Sequence, residues 1–235
     1  MYNPQRFKSA DINEAFDLMD QNPFATVITV EEGKPFVSHL PLTPKMVGDK
    51  IELIGHLARA NPHWKSFANS QVTVIFHGPH TYITPKWYAE NDVPTWNYST
   101  AHATGKIELI ESYDGIVQCL KDLTAQVERQ WPSGWEFFIP DDLTGDILPK
   151  SIVGFKIKVA EINFKKKLSQ NRTPADRAGV LKGLETRGDD NSRSVLSEMK
   201  NSTDSKIKTI IGIPKTIASL FGFDFIPGPT RSHFH

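Results

Sequence analysis

From residue 24 to residue 84 apolar and polar side chains alternate in short runs separated by turn-forming residues. Runs at 24–30, 35–42, 50–57, 72–77 and 81–84 read as strands, with Glu31-Glu32-Gly33-Lys34 and Val47-Gly48-Asp49-Lys50 as the turns between them. Two further strands are predicted around 98–110 and 152–164. Strands so closely spaced can pair only through hairpins, which indicates an antiparallel meander or barrel. Helical periodicity appears in three places. Asp11 and Glu14 have the spacing of a capping box, and Ile12, Ala15, Phe16 and Met19 share one face before Asn22-Pro23 stops the run. Ile116, Val117, Leu120, Leu123 and Val127 make 112–130 an amphipathic helix. Thr173-Pro174-Ala175-Asp176 opens a third helix with a cap, a first-position proline and a carboxylate in the first turn, ahead of Val180, Leu181 and Leu184. The pattern therefore predicts a small β-barrel with helices packed outside it, mainly β with flanking helices.

The tail has another character. Residues 186–206 are polar and rich in Ser, Asn and Asp, which predicts a mobile linker. Residues 207–226 are apolar again, with Ile210, Ile213, Leu220 and Phe223 among them, but Pro214 interrupts any long helix. A segment that docks on this subunit or a partner fits better than a membrane span. The chain thus divides into a domain at 1–185, a linker at 186–206 and an apolar extension at 207–235.

The 235 residues suffice for a substantial core, and 27 basic residues balance 27 acidic ones, so no bulk charge draws the chain to nucleic acid. Lys156, Lys158, Lys165, Lys166, Lys167, Arg172 and Arg177 do gather cations near the end of the predicted barrel; a solvated strand edge and a phosphate-contacting patch are both open readings. Cys119 is the one cysteine, so no internal disulfide forms, and residues 1–30 hold no signal-type apolar core. A soluble, cytoplasmic protein without a membrane segment is expected. Eight histidines raise the question of a metal, yet none form a helical i, i+4 pair, and no structural zinc is expected. The nucleophile elbow, the Walker loop and the dinucleotide-binding glycine pattern are all missing, which removes support for serine hydrolysis, ATP hydrolysis and a parallel dinucleotide fold.

Candidate chemistry concentrates at 51–64, where a strand runs through Gly55 and Arg59 into Asn61-Pro62. A glycine admits close backbone approach, an arginine offers a planar fork of donors, and a helix start exposes N–H groups, which together suit a phosphate; a strand end with a surface cation is the plainer reading. His39 and His56 lie in alternating strands, where a histidine serves either as a hydrogen-bonded structural residue or as a partner for a ligand ring. Tyr82, Trp87, Tyr88, Trp96 and Tyr98 crowd around prolines, which suits a planar heteroaromatic ligand, a subunit interface or core packing.

Seven segments in order make the chain resemble one family. They are Met1-Tyr2-Asn3-Pro4, Ser38-His39-Leu40-Pro41, Gly55-His56-Leu57-Ala58-Arg59-Ala60-Asn61-Pro62, Phe76-His77-Gly78-Pro79, Tyr82-Ile83-Thr84-Pro85, Pro94-Thr95-Trp96-Asn97-Tyr98 and Lys167-Leu168-Ser169-Gln170-Asn171. Together they look like the PaiB family of FMN-binding split-barrel proteins, over about residues 1–185. The resemblance implies a six-stranded antiparallel split barrel that forms a homodimer and binds FMN where the subunits meet. It implies a negative transcriptional regulator, with a DNA or protein partner. The same barrel also serves flavin reductases and pyridoxamine-phosphate oxidases, so an FMN-dependent oxidoreductase is the alternative, and a barrel that has lost its flavin is a third. Related split barrels bind haem, although no residue here marks an axial ligand. Carried onto this chain, Ser38, His39 and Leu40 would run along the flavin with backbone groups at its polar edge. Gly55, His56, Leu57, Arg59 and Asn61 would surround ring and phosphate. The partner would supply Trp96, Asn97 and Tyr98, with Lys167 and Gln170 as polar contacts; no catalytic residue is implied.

Overall fold

A computed structural model of the chain describes residues 1–211 except 68, 69, 91 and 132, with backbone alone for 203–211. In chain order the elements are β1 (Lys8–Ser9), α1 (Ile12–Gln21), β2 (Phe24–Glu31), β3 (Lys34–Val47), β4 (Lys50–Ala58), β5 (Gln71–Ile83), β6 (Thr95–Ile110), α2 (Tyr113–Gln130), α3 (Ile147–Ser151), β7 (Ile152–Lys167), α4 (Pro174–Arg187) and α5 (Asp190–Ile211). The sheet runs β7-β4-β3-β2-β5-β6, and β6 returns to pair with β7, so six strands close a barrel in which every pairing is antiparallel. The seventh strand, β1, adds two residues to β7 opposite Phe164 and Lys165. Six strands were expected; the extra one forms because Asn3 Nδ2 donates to the Phe164 carbonyl at 2.9 Å and ties the N-terminal segment along β7.

The runs at 72–77 and 81–84 are one strand, β5, whose register shifts between His77 and His80 to admit Gly78-Pro79. Alternation along the strands turns Val27, Leu42, Leu53, Val74, Phe76, Phe155 and Ile157 inward, all 0 % exposed, where they form the barrel core with Phe67. Each such side chain contributes about 1.5–3 kcal/mol of burial. Helix α1 packs Ala15, Leu18 and Met19 against this core. Its cap is half of a capping box: Asp11 accepts from Asn13 N at 2.9 Å, whereas Glu14 accepts from Ser9 Oγ. Helix α2, capped by Ser112, lies over the outer face of β3, β4 and β7 and ion-pairs to Lys45 through Asp122.

The stretch read from its composition as a polar linker is helical from Asp190. Val195, Leu196 and Met199 are buried there and join Ile83, Leu168, Val180 and Leu184 in a second core beside Trp87 and Tyr88. Three apolar residues on one face suffice because α4 and the ends of β5 and β7 already present the complementary surface. The apolar extension falls, from residue 212 onward, outside the described residues. Among the described residues no helix is long and apolar enough to cross a membrane.

Candidate functional site

Strand β3 pairs with β2 as far as Pro41 and with β4 only from Leu42, whose partner is Gly55. Beyond that point β4 continues against β7 alone, so β3 and the end of β4 diverge. The run 35–41 therefore has a paired edge and an open edge, and alternate backbone groups of Ser38, His39 and Leu40 face the gap.

Inside the gap is a buried polar chain. Ser38 Oγ lies 2.8 Å from His63 Nδ1 and 3.2 Å from Asn61 Nδ2, while His63 Nε2 lies 2.9 Å from Thr29 Oγ1. The His63 ring stacks on Phe36 at 4.4 Å and is fully buried, which lowers its pKa from 6.5 to about 4. Asn61 also caps the 3-10 turn Pro62–Ser66 by accepting from His63 N. The helix start expected here to offer free N–H groups is thus only five residues long, and its leading donor is already engaged.

The outer face carries different groups. The pairing register lines up His39, Thr26, Ile75, His102 and Asn163 across five strands, and paired residues share a face. His39 and His77 are exposed, and Phe24, which stacks on His39, is 66 % exposed. His39 Nδ1 is 3.2 Å from Thr26 Oγ1. His56 and Thr43 lie on this outer side of β4 and β3. Nδ1 of His56 and Oγ1 of Thr43 are buried, and neither meets a hydrogen-bond partner among the described residues. Burial lowers the His56 pKa, so its ring is neutral near pH 7. Both atoms lie beneath α2: Gly154, the partner of His56 across β4 and β7, faces Cys119, and Lys45, two residues from Thr43 on the same face, meets Asp122.

Gly55 and Leu57 point the other way. A Cβ on Gly55 would stand 2.4 Å from Leu42 Cδ2 and 2.7 Å from Phe155 Cζ, so this glycine makes room for the core, and Leu57 is buried in that core. Arg59 leaves the strand end with Nε donating to the Pro149 carbonyl at 2.7 Å and Nη2 donating to Glu111 at 3.2 Å, its guanidinium 5.1 Å from the Trp64 ring. Among the described residues no group of three or more His, Cys, Asp or Glu side chains gathers for a metal.

The second set of predicted residues lies elsewhere on the chain. Tyr98 is opposite Lys167 across β6 and β7, four residues along β6 from His102, which puts it roughly 15–20 Å from His39 along the sheet. Trp96 is 53 % exposed beside Tyr82 and His80. Asn97 is buried and donates to Ser169 Oγ and Met199 Sδ. Lys167 donates to Thr95 Oγ1 and the Trp96 carbonyl, and Gln170 bonds Leu168 N and the Lys166 carbonyl. Burial, with Lys165 and Arg172 nearby, lowers the Lys167 pKa. One subunit thus brings Ser38 to Asn61, and His39 and His56 to one face, but not these five residues to either. Thr29, Glu111 and Pro149 were not anticipated. Thr29 alone left a signal, a hydroxyl at an inward position among Ala25 and Val27.

A closed antiparallel barrel with a parted strand pair and an open outer face defines a split-barrel flavin-binding protein. The chain belongs to the family described as "Putative FMN-binding domain", which matches residues 1–161. It is 37 % identical over 210 residues to the protease synthase and sporulation protein PAI 2 of Bacillus subtilis, covering 88 % of this chain and 100 % of that protein, as the PaiB resemblance implied. Among solved structures it is similar to the FAD and haem binding protein of Mycobacterium smegmatis, at 18 % identity and TM-score 0.54 over 68 % of this chain and 73 % of that one. The flavocytochrome Anf3 of Azotobacter vinelandii matches at 19 % identity and TM-score 0.52, over 68 % of this chain and 69 % of that one. At those identities the two structures support the fold. The family match supports FMN as the cofactor.

Proposed function

We propose that two copies of this chain close over FMN along the open edge of β3 and the exposed outer face of β2 and β3 around His39, and that the assembly is a regulator of the PaiB type whose flavin occupancy alters a contact with another macromolecule. The open edge of β3 along Ser38, His39 and Leu40, with His39 exposed beside it, carries the flavin reading. His39 would bond the ring, His56 would support β4 behind it, Leu40 would line its rim, and Arg59 and Asn61 would hold the phosphate end. Trp96, Tyr98 and Lys167 are the partner's candidate contribution, while Asn97 and Gln170, engaged within their own subunit, would support them. Bound FMN supplies redox chemistry; the protein residues named bind and orient it.

The cations favour a protein partner over DNA. Lys156 lies 3.8 Å from both Glu52 and Glu108, Lys158 pairs with Glu108, Lys166 with Glu14 and Arg172 with Asp92, and Lys165 is buried between the rings of Tyr2 and Tyr98. Charges so engaged release few counterions on meeting a phosphate backbone. One observation keeps the oxidoreductase in view: Trp87 and Tyr88 pack in the second core, so they do not close the outer face.

The test is an FMN titration followed by visible absorbance, then anaerobic addition of NADPH and NADH, with mass in solution measured by light scattering. Saturable binding to a dimer without bleaching is the expected result. Rapid bleaching would move the assignment to the oxidoreductase, and absence of flavin binding would overturn both.

A further inference from the structure

Arg59 is the cation predicted to hold the phosphate, and a carboxylate already meets it. Glu111 sits 52 residues away, immediately after β6, and its Oε1 accepts from Arg59 Nη2 at 3.2 Å. Its side chain is 57 % exposed, against 25 % for that of Arg59. Glu111 is therefore free to swing out, whereas Arg59 is held by the Pro149 carbonyl and the Trp64 ring. The two residues line an open cleft of about 340 Å³ with Asp146, Pro149 and Lys150. Two cations and two carboxylates leave that cleft without net charge. An arriving phosphate meets an arginine whose forked donors are part-occupied and a carboxylate that repels it.

We infer that Glu111 is an internal anion that competes with the FMN phosphate for Arg59, and so sets how strongly this chain prefers FMN to riboflavin. This inference rests on the flavin reading above and adds to it a residue that limits affinity instead of supplying it. A carboxylate and a phosphate cannot both take the same donor. Neutralising Glu111 leaves the cleft with a net positive charge while preserving the packing around Arg59.

Kd values for FMN and for riboflavin, read from flavin fluorescence at low and at moderate salt, test this in the full chain. In Glu111→Gln the FMN Kd is expected to fall about three- to tenfold, with the gain shrinking as salt rises, while the riboflavin Kd stays unchanged. In the double variant Arg59→Ala with Glu111→Gln the gain disappears. Inorganic phosphate should compete with FMN more effectively in Glu111→Gln than in the wild type. An unchanged FMN Kd in Glu111→Gln, or an equal change for riboflavin, overturns the role of Glu111 while leaving the flavin reading intact. A wild-type chain that binds neither flavin overturns the flavin reading itself, and the role of Glu111 with it.

Discussion

Ser38 donates to His63, and the direction of that 2.8 Å bond is fixed by the neighbours of both residues. Ser66 Oγ donates to the His63 carbonyl, so its hydrogen is used and the bond between Thr29 and Ser66 runs from Thr29. Thr29 must then accept from His63 Nε2, which carries the ring proton and leaves Nδ1 to accept from Ser38. Ser38 Oγ in turn accepts from Asn61 Nδ2. One oriented chain, Asn61 to Ser38 to His63 to Thr29 to Ser66, joins β2, β3 and the turn after β4. It holds the two walls of the parted strands at a set separation, and it works only with a neutral imidazole.

This chain makes stability depend on pH with a definite sign. The His63 pKa is about 4 in the fold and 6.5 ordinarily, so the unfolded chain takes up a proton that the fold refuses. The contribution is full above pH 6.5 and is lost as pH falls towards 4, at about 3 kcal/mol for the whole shift. Urea unfolding of wild type and His63→Gln at several pH values checks this. The wild type should lose more stability across that window than the variant; parallel curves would exclude His63 as the source.

Gly55 is expected to be intolerant of a single added methyl. With Leu42 and Phe155 standing where the Cβ would go, Gly55→Ala should cost about 1–3 kcal/mol in thermal or urea unfolding. A glycine kept for ligand approach would instead lose flavin affinity at unchanged stability. The two outcomes are separable on one preparation.

How legible this was follows from the range over which each feature is encoded. The strands could be read because alternation is local, and α1, α2 and α4 because their caps and apolar stripes lie within one element. Strand β1 was hidden because its two residues are set by Asn3 reaching Phe164, and α5 because a polar sequence needs only Val195, Leu196 and Met199 once a surface waits for them. At the site, His39, His56, Arg59 and Asn61 stood out as residue types at strand ends. Their neighbours did not. Glu111 approaches Arg59 from 52 residues away, and the crowding behind Gly55 comes from β3 and β7.

Helix α5 should behave as part of the folded unit. Met199 is fully buried at the side chain and receives a hydrogen bond from Asn97. Met199→Ala should therefore cost about 2–4 kcal/mol in cooperative unfolding. A tether between two independent parts would show almost no change.

His39 and Arg59 should separate by the part of the flavin they serve. His39 lies exposed on the outer face of β3 beside Thr26, whereas Arg59 reaches the cleft lined by Glu111 and Lys150. A ring contact is shared by FMN and riboflavin, and a phosphate contact is not. His39→Ala should weaken both ligands by a similar factor, about threefold to tenfold for one hydrogen bond lost. Arg59→Ala should weaken FMN by about tenfold or more and leave riboflavin nearly unchanged. Fluorescence titration of the two variants with the two ligands supplies the four comparisons. If Arg59→Ala weakened riboflavin as much as FMN, the arginine would be acting through the fold of the strand end, and the phosphate would have to be sought elsewhere on the face.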